Sequence, residues 1–249
     1  VTCLTPIVLT LNEATHLPGC LASLRPLNEH VIVLDSGSTD ATTAIAAEFG
    51  ATVVTRPFDG YASQRNAALE LAETEWVLFL DADERLTPAG VAEIRSTIKT
   101  APADLTIGWL PRRNVFFGRT LRGGGWWPDE QARLLRRGRS WYDPTRQVHE
   151  VVQTDGASLH LREPMVHYNY VSRREFIAKQ RQYTNRRVAN STETTPRVRA
   201  YLGAPAREFV RRFVSLKGYR DGLTGLFLSL VLAFEEARAV HLLRKRERR

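Results

Sequence analysis

Cysteine is nearly missing from this 249-residue chain. Cys3 and Cys20 are the two present, too few for a disulfide framework and without the spacing of a zinc site. Their scarcity points to a reducing compartment, with the cytoplasm as the expected location, and to packing roles. Long apolar runs are lacking as well. The most apolar late segment, residues 222–234, is shorter than a bilayer-spanning helix and closes with Glu235-Glu236, so no transmembrane helix is expected. The N-terminus is neither basic nor followed by an extended apolar stretch; no signal peptide is read, and the start at Val1 is expected to reflect a trimmed chain. No Gly-x-Gly-x-x-Gly follows the first strand-like run and no Gly-Lys-Ser/Thr occurs, which sets dinucleotide-binding and P-loop chemistry aside.

Lysine is scarce too, since nearly all of the 35 basic side chains are arginine. Residues 1–100 hold six basic and 13 acidic side chains, net −7, whereas residues 101–249 hold 29 and 14, net +15, giving the overall +8. An acidic half is thus joined to a basic half. Arginine's planar fork suits phosphate and carboxylate, so the second half is expected to face a polyanion. Nucleic acid, an anionic membrane and a phosphorylated glycolipid all qualify, and charge alone does not choose among them.

What is present first is regular alternation. Pro6-Ile7-Val8-Leu9-Thr10-Leu11 reads as a buried strand, and Leu17, Cys20, Leu21 and Leu24 follow at helical spacing. Val31-Ile32-Val33-Leu34 is a second strand, ending at Asp35 and the turn Ser36-Gly37-Ser38-Thr39. Asp40 caps a helix to Phe49, Gly50 stops it, and Ala51-Thr52-Val53-Val54 is a third strand. A helix over 62–73 leads to the run Trp76-Val77-Leu78-Phe79-Leu80. Alternation of this kind predicts an α/β fold, a doubly wound, mainly parallel sheet. Beyond residue 100 the pattern breaks into short strands at 105–110, 112–117 and 132–135, which should finish the sheet. Basic helices are expected over 173–190 and 206–221, with a linker at 193–205.

The run from Trp76 stops abruptly at Asp81-Ala82-Asp83-Glu84. Open α/β sheets bind ligands at the carboxyl ends of their strands, and two carboxylates one residue apart can hold a hard cation against phosphate. Asp81 and Asp83 are therefore read as ligands of a divalent metal, Mg or Mn, and through it of a sugar-nucleotide diphosphate; the alternative is a helix N-cap before Thr87-Pro88. Asp35 ends a second strand facing the same crevice and can accept from the imide N–H of uracil, or serve as a simple turn acid. His149, beside Glu150, is the candidate third metal ligand because imidazole suits Mn, with His167 in reserve. Asp129 follows Gly123-Gly124-Gly125-Trp126-Trp127-Pro128, where glycine admits a sugar and indole faces can stack on it, so it is the candidate general base; Glu130 competes.

The C-terminal segment has its own character. Phe209, Phe213 and Leu216 share a helical face among Arg207, Arg211, Arg212 and Lys217, and the chain closes with Arg244-Lys245-Arg246-Glu247-Arg248-Arg249. This fits helices lying on an anionic membrane surface, the alternative being a docked hairpin that completes the core or an oligomer interface.

Thr10-Leu11-Asn12-Glu13, Asp35 to Asp40, Gln64-Arg65-Asn66 and Asp81-Ala82-Asp83 resemble, in order and spacing, the signature of family 2 glycosyltransferases with a GT-A (Rossmann-like) fold. The later stretches, including Val148-His149-Glu150 and His167-Tyr168, resemble bacterial lipopolysaccharide inner-core β-1,4-glucosyltransferases. The resemblance implies that Thr10, Asn12 and Glu13 contact base and ribose, that Asp35 reads uracil, and that Arg65 and Asn66 help hold the nucleotide. It implies metal binding by Asp81, Asp83 and His149, and catalysis by Asp129. Leu11 departs from the pattern, standing where many members carry a Tyr that stacks on uracil.

The implied activity is inverting transfer of a sugar, glucose in that subfamily, from a UDP-sugar to an anionic glycolipid such as the lipopolysaccharide inner core. The implied site of action is the cytoplasmic face of the inner membrane. Residues 1–100 would bind the donor, residues 101–170 would form the acceptor side, and residues 171–249 a basic helical extension on the membrane. Three rivals remain, one of them a non-catalytic scaffold at the membrane, for which the acid cluster would have to be incidental. Transfer to polyprenyl phosphate would use the same donor half. A nucleic-acid-binding module would use the arginines, but no such motif is visible and an acidic half would repel a phosphate backbone, so no nucleic-acid partner is expected.

Overall fold

The computed structural model describes residues 3–27, 30–143, 151–191 and 200–247. The chain divides into two compact units, residues 1–112 with 130–167, and residues 113–129 with 168–249.

In the first unit β1 (Leu4–Thr10) leads through α1 (Leu17–Leu24) to β2 (Ile32–Asp35), then α2 (Thr42–Glu48), β3 (Thr52–Thr55), α3 (Tyr61–Leu71) and β4 (Trp76–Asp81). These four strands run parallel in the order β3-β2-β1-β4, with Ile7 paired to both Ile32 and Phe79. The expected doubly wound start is therefore present. Side chains alternate across β4: Trp76, Leu78 and Leu80 pack with α1 and with Ile94, while Val77 and Phe79 pack with Ala62, Ala68 and Leu69 of α3. Helices cover both faces, which is why the strand reads as an unbroken apolar run.

After β4 come β5 (Glu84–Arg85) and α4 (Pro88–Thr100), the latter opened by Thr87, whose Oγ1 accepts from the Gly90 N–H at 3.0 Å. β6 then runs unbroken from Leu105 to Phe116, where two strands were expected, because Pro111 sits within it without ending it. β7 (Arg119–Thr120) pairs back on its end, and β8 (Glu130–Arg136) lies antiparallel to both β4 and β6. β9 (Ser140–Tyr142) and β10 (Val152–Thr154) form a small ribbon. β11 (Ala157–His160) pairs with β6, and β12 (Met165–Tyr170) with β5 through His167 and Glu84.

The second unit holds α5 (Arg173–Asn190), α6 (Ala200–Phe209) and α7 (Gly222–Glu247) around an aromatic core. Phe116 lies 4.7 Å from Tyr170 and 4.8 Å from Trp126 between ring centroids, and Phe176 and Leu228 complete the cluster. Two expectations are corrected here. The second part of the expected linker is helical from Ala200, with Pro205 inside α6; its first part lies outside the described residues. The single helix expected over 206–221 is broken: it widens into a π-helix over Val210–Ser215 and stops at Lys217, whose φ of 58° is left-handed, before a 3-10 turn at Gly218–Asp221. Among the described residues no helix is long and apolar enough to cross a membrane.

Candidate active site

Two loops at the carboxyl ends of β1 and β2 are bonded into one rim. Asp35, buried to 1% exposure, accepts from Thr10 Oγ1 at 2.9 Å, Ser38 Oγ at 2.5 Å, the Gly37 N–H at 2.9 Å and the Ser38 N–H at 2.7 Å. Burial alone would raise its pKa; the bonds from Ser38, Thr10 and Gly37 outweigh it and hold the carboxyl below its ordinary value. Asn12, at φ 56°, accepts from the Thr39 N–H at 2.8 Å through Oδ1 and donates its own N–H to Ser38 Oγ at 2.8 Å. The Glu13 N–H donates to Thr42 Oγ1 at 2.8 Å, and Asp40 accepts from the N–H groups of Ala14 and Thr42 at 3.2 and 3.0 Å. Asp40 thus works one residue outside the cap position of α2, which Ala41 occupies. Gln64 on α3 extends the frame by donating to Ser36 Oγ at 2.9 Å.

The sequence-predicted residues at the end of β4 split between two partners. Asp81 meets the guanidinium of Arg133, and Arg65 Nη2 at 3.2 Å. Burial would raise the Asp81 pKa, but these arginines overcome it and hold the group ionised well below the carboxylate range. Asp83 instead faces His167, Oδ2 to Nε2 3.1 Å, with a side chain 27% exposed. Its neighbour Glu84 is wholly buried, 2.6 Å from Arg133 Nη2 and 3.5 Å from Arg112 Nη1. Cys20 lies beneath, its Sγ donating to the Asp81 carbonyl at 3.6 Å, and burial pushes its thiol pKa far up, which makes it inert packing.

Asn66 does not face this cluster: its Nδ2 donates to the Tyr142 carbonyl and its Oδ1 accepts the Tyr142 N–H, both at 2.8 Å. Arg65 spans the gap, lying over the Phe79 ring at 5.2 Å. His149 and Glu150 lie outside the described residues. In the second unit, Asp129 accepts from Asn114 Nδ2 at 2.9 Å, and the same amide donates to the Trp126 carbonyl at 2.9 Å. Glu130, the competing acid, sits in β8 with Oε2 3.5 Å from His160 Nδ1.

Sequence reading did not single out Arg133, Arg112 or the buried role of Glu84. A signal existed: Arg133 interrupts the apolar strand Ala132-Arg133-Leu134-Leu135, and arginine is almost never fully buried unless paired.

A metal would fit Asp83 with His167 better than Asp83 with Asp81. Both side chains are partly exposed, but the Asp81 carboxylate is already occupied by two arginines, whereas Asp83 pairs a carboxylate with an imidazole. Among the described residues no group of three or more metal-ligating side chains occurs. Two protein ligands are what Mg or Mn commonly takes when phosphate oxygens and water complete the shell.

A model of the glycosyl transferase family 2 matches residues 5–168, more than half of the chain. The chain belongs to glycosyl transferase family 2. This glycosyltransferase is 30% identical over 254 aligned residues to the lipopolysaccharide core biosynthesis glycosyltransferase LpsC of Rhizobium meliloti, across 96% of this chain and 92% of that one. It is 44% identical over 80 residues to an uncharacterized glycosyltransferase of Rickettsia conorii, a match covering 32% of this chain and 28% of the relative. The crystal structure of S. aureus TarS 1-349 is similar in fold, with a TM-score of 0.51 at 14% identity, over 98% of this chain and 92% of that one. The family 2 glycosyltransferase thus has the GT-A fold expected from its sequence.

Proposed function

We propose that this glycosyltransferase moves glucose from UDP-glucose to a phosphorylated saccharide of the lipopolysaccharide inner core, with inversion at the anomeric carbon. The observation that carries the reading is the pairing of Asp83 with His167 where the buried strand β4 gives out, in a chain alignable over nearly all its length with a lipopolysaccharide core glycosyltransferase.

In this reading the rim built by Thr10, Asn12, Glu13 and Asp35 receives base and ribose. Uracil N–H would have to replace one of the four donors already on Asp35, so that residue chiefly shapes the turn 36–39, whose backbone meets the base. Arg65 keeps Asp81 ionised and Asn66 anchors α3 to β9, so both support the nucleotide site from beneath. Asp83 and His167 would hold Mg or Mn, with His149 a further candidate ligand; a bound cation neutralises charge on the departing diphosphate. Asp129, aimed by Asn114, takes the proton of the acceptor hydroxyl while that oxygen bonds the anomeric carbon and the bond to UDP breaks. One displacement inverts the centre.

The donor role is assigned to residues 1–100, the acceptor side to residues 101–170, and attachment at the cytoplasmic membrane surface to residues 171–249. Exposed Val210 and Val214, interspersed in sequence with Arg207, Arg211, Lys217 and Arg220, and exposed Leu223, Leu230 and Phe234 on α7 support the last assignment. Apolar side chains ringed by cations suit an anionic leaflet.

Titration calorimetry with UDP, with and without Mn, tests the donor half. Metal-dependent binding that is absent for GDP is expected; equal binding without metal would remove the cation from the reading. Transfer of radiolabel from UDP-glucose into a lipopolysaccharide fraction rather than into lipid monophosphate tests the acceptor half.

A further inference from the structure

Three guanidiniums that line one cavity of the second unit carry no ion pair among the described residues, and we propose that this cavity takes the phosphate group of the saccharide acceptor. The cavity is open, about 760 Å³, and lined by Arg113, Thr120, Leu121, Arg122, Trp127 and Arg220. Among the described residues no carboxylate lies within ion-pair distance of Arg113, Arg122 or Arg220, whereas Arg187 pairs with Glu236, Arg211 and Arg212 with Glu208, and Arg238 with Glu235.

The nearest acid on these loops is already spent. Asp221 accepts the backbone N–H of Arg122 at 2.7 Å and of Gly123 at 3.0 Å, which fixes the main chain under Arg122. The approach is close enough to require glycine. A Cβ at Gly123 would stand 2.1 Å from the Lys217 carbonyl oxygen, and one at Gly225 would stand 1.9 Å from that of Gly218. Bare backbone therefore lets the loop bearing Arg122 press against the turn bearing Arg220, and two cations end on one cavity wall. Arg113 comes from β6.

Guanidinium forks match phosphate oxygens two at a time, so three of them, with Asp221 near Arg122 committed to backbone N–H groups, favour a dianion over a neutral sugar. The half-buried indole of Trp127 offers a face for sugar C–H groups, and Thr120 a hydroxyl. The volume is that of a small-ligand site of roughly 300–1,000 Å³. This inference rests on the reading of the chain as a transferase to a phosphorylated acceptor, and names where that phosphate binds.

Calorimetry of the full chain with glucose 6-phosphate, glucose and inorganic phosphate tests it, with UDP plus Mn titrated in parallel. Glucose 6-phosphate is expected to bind at least about tenfold more tightly than glucose, and the exposed-site double variant Arg113→Gln/Arg220→Gln to lose at least about tenfold of that affinity, with UDP binding unchanged. Equal affinity of wild type and variant for glucose 6-phosphate overturns the site. Failure of glucose 6-phosphate to bind while UDP still does overturns it too, and leaves the donor reading intact. Binding of glucose 6-phosphate without UDP binding supports the site and overturns the donor reading. Arginine-dependent binding to phosphatidylglycerol vesicles but not to glucose 6-phosphate overturns the saccharide site in favour of a lipid headgroup.

Discussion

His167 Nε2 stands 3.1 Å from Asp83 Oδ2 although 84 residues separate them in the chain. β12 brings them together, because its antiparallel register sets His167 opposite Glu84, next to Asp83 in sequence. If the pair holds the cation, His167→Ala and Asp83→Ala each lower UDP affinity in Mn by about 10–100-fold. The double variant should then lose little more than either single one, because the two act as a unit. Calorimetry in Mn, and again in EDTA where the differences should vanish, checks this.

Asp129→Asn keeps an oxygen for Asn114 Nδ2 to donate to, so its geometry should survive while its basicity does not. The expected result is a fall in kcat of about 10²–10⁴-fold with UDP affinity unchanged. The same change at Glu130 should leave kcat within a few-fold. Steady-state transfer kinetics on both variants decides between the two acids.

Arg133 serves two carboxylates, one of them the fully buried Glu84. Replacing it by leucine leaves that charge with only the longer Arg112 contact, and a loss of about 3–5 kcal/mol is expected in urea unfolding. Combining Arg133→Leu with Glu84→Gln should recover part of the loss. Full additivity of the two changes would show that the pair does not interact.

Asp35 has a depressed pKa in the folded chain, so its stabilising effect is complete above its unfolded value near pH 4 and is lost as pH falls through the lower folded value. Asp35→Asn turns an amide N–H₂ toward the N–H groups of Gly37 and Ser38 or toward the Thr10 and Ser38 hydroxyls. A cost of about 1–3 kcal/mol at pH 7 follows, and it should shrink as pH falls below about 4, where the unfolded carboxyl takes up a proton and the folded one follows at its lower value. Urea titrations at pH 7 and pH 3 measure both.

Leu223 and Phe234 are 80% and 60% exposed on α7. Leu223→Ser with Phe234→Ser should reduce co-sedimentation with phosphatidylglycerol vesicles several-fold, each lost apolar side chain being worth roughly 1.5–3 kcal/mol when fully buried. Soluble UDP binding should not change. Undiminished sedimentation would remove these residues from the membrane reading.

The first half of the fold was legible because its signals are local. An unbroken apolar strand such as Trp76–Asp81, a Thr87-Pro88 helix start and a short turn after Asp35 each reveal themselves within a few residues. The partners of the acids were not legible in that way. Arg133 reaches Asp81 across 52 residues, and strand register rather than spacing decides the meeting. Asn66 shows the opposite failure. It lies in a stretch that resembles a nucleotide-binding motif, yet its amide is committed to Tyr142, a use that no motif could disclose. In the second unit, the left-handed Lys217 divides what periodicity alone reads as one helix, because the backbone there bends to meet the glycine-bearing loop.

The cross-tied loops after β1 and β2 have a thermodynamic corollary. With Asn12 latched to Ser38 and Thr39, and Asp35 filled from within, little chain entropy would be left to surrender if a nucleotide binds there as proposed. Association at this rim should proceed in a single fast phase, with a heat-capacity change set by the covered base and ribose alone.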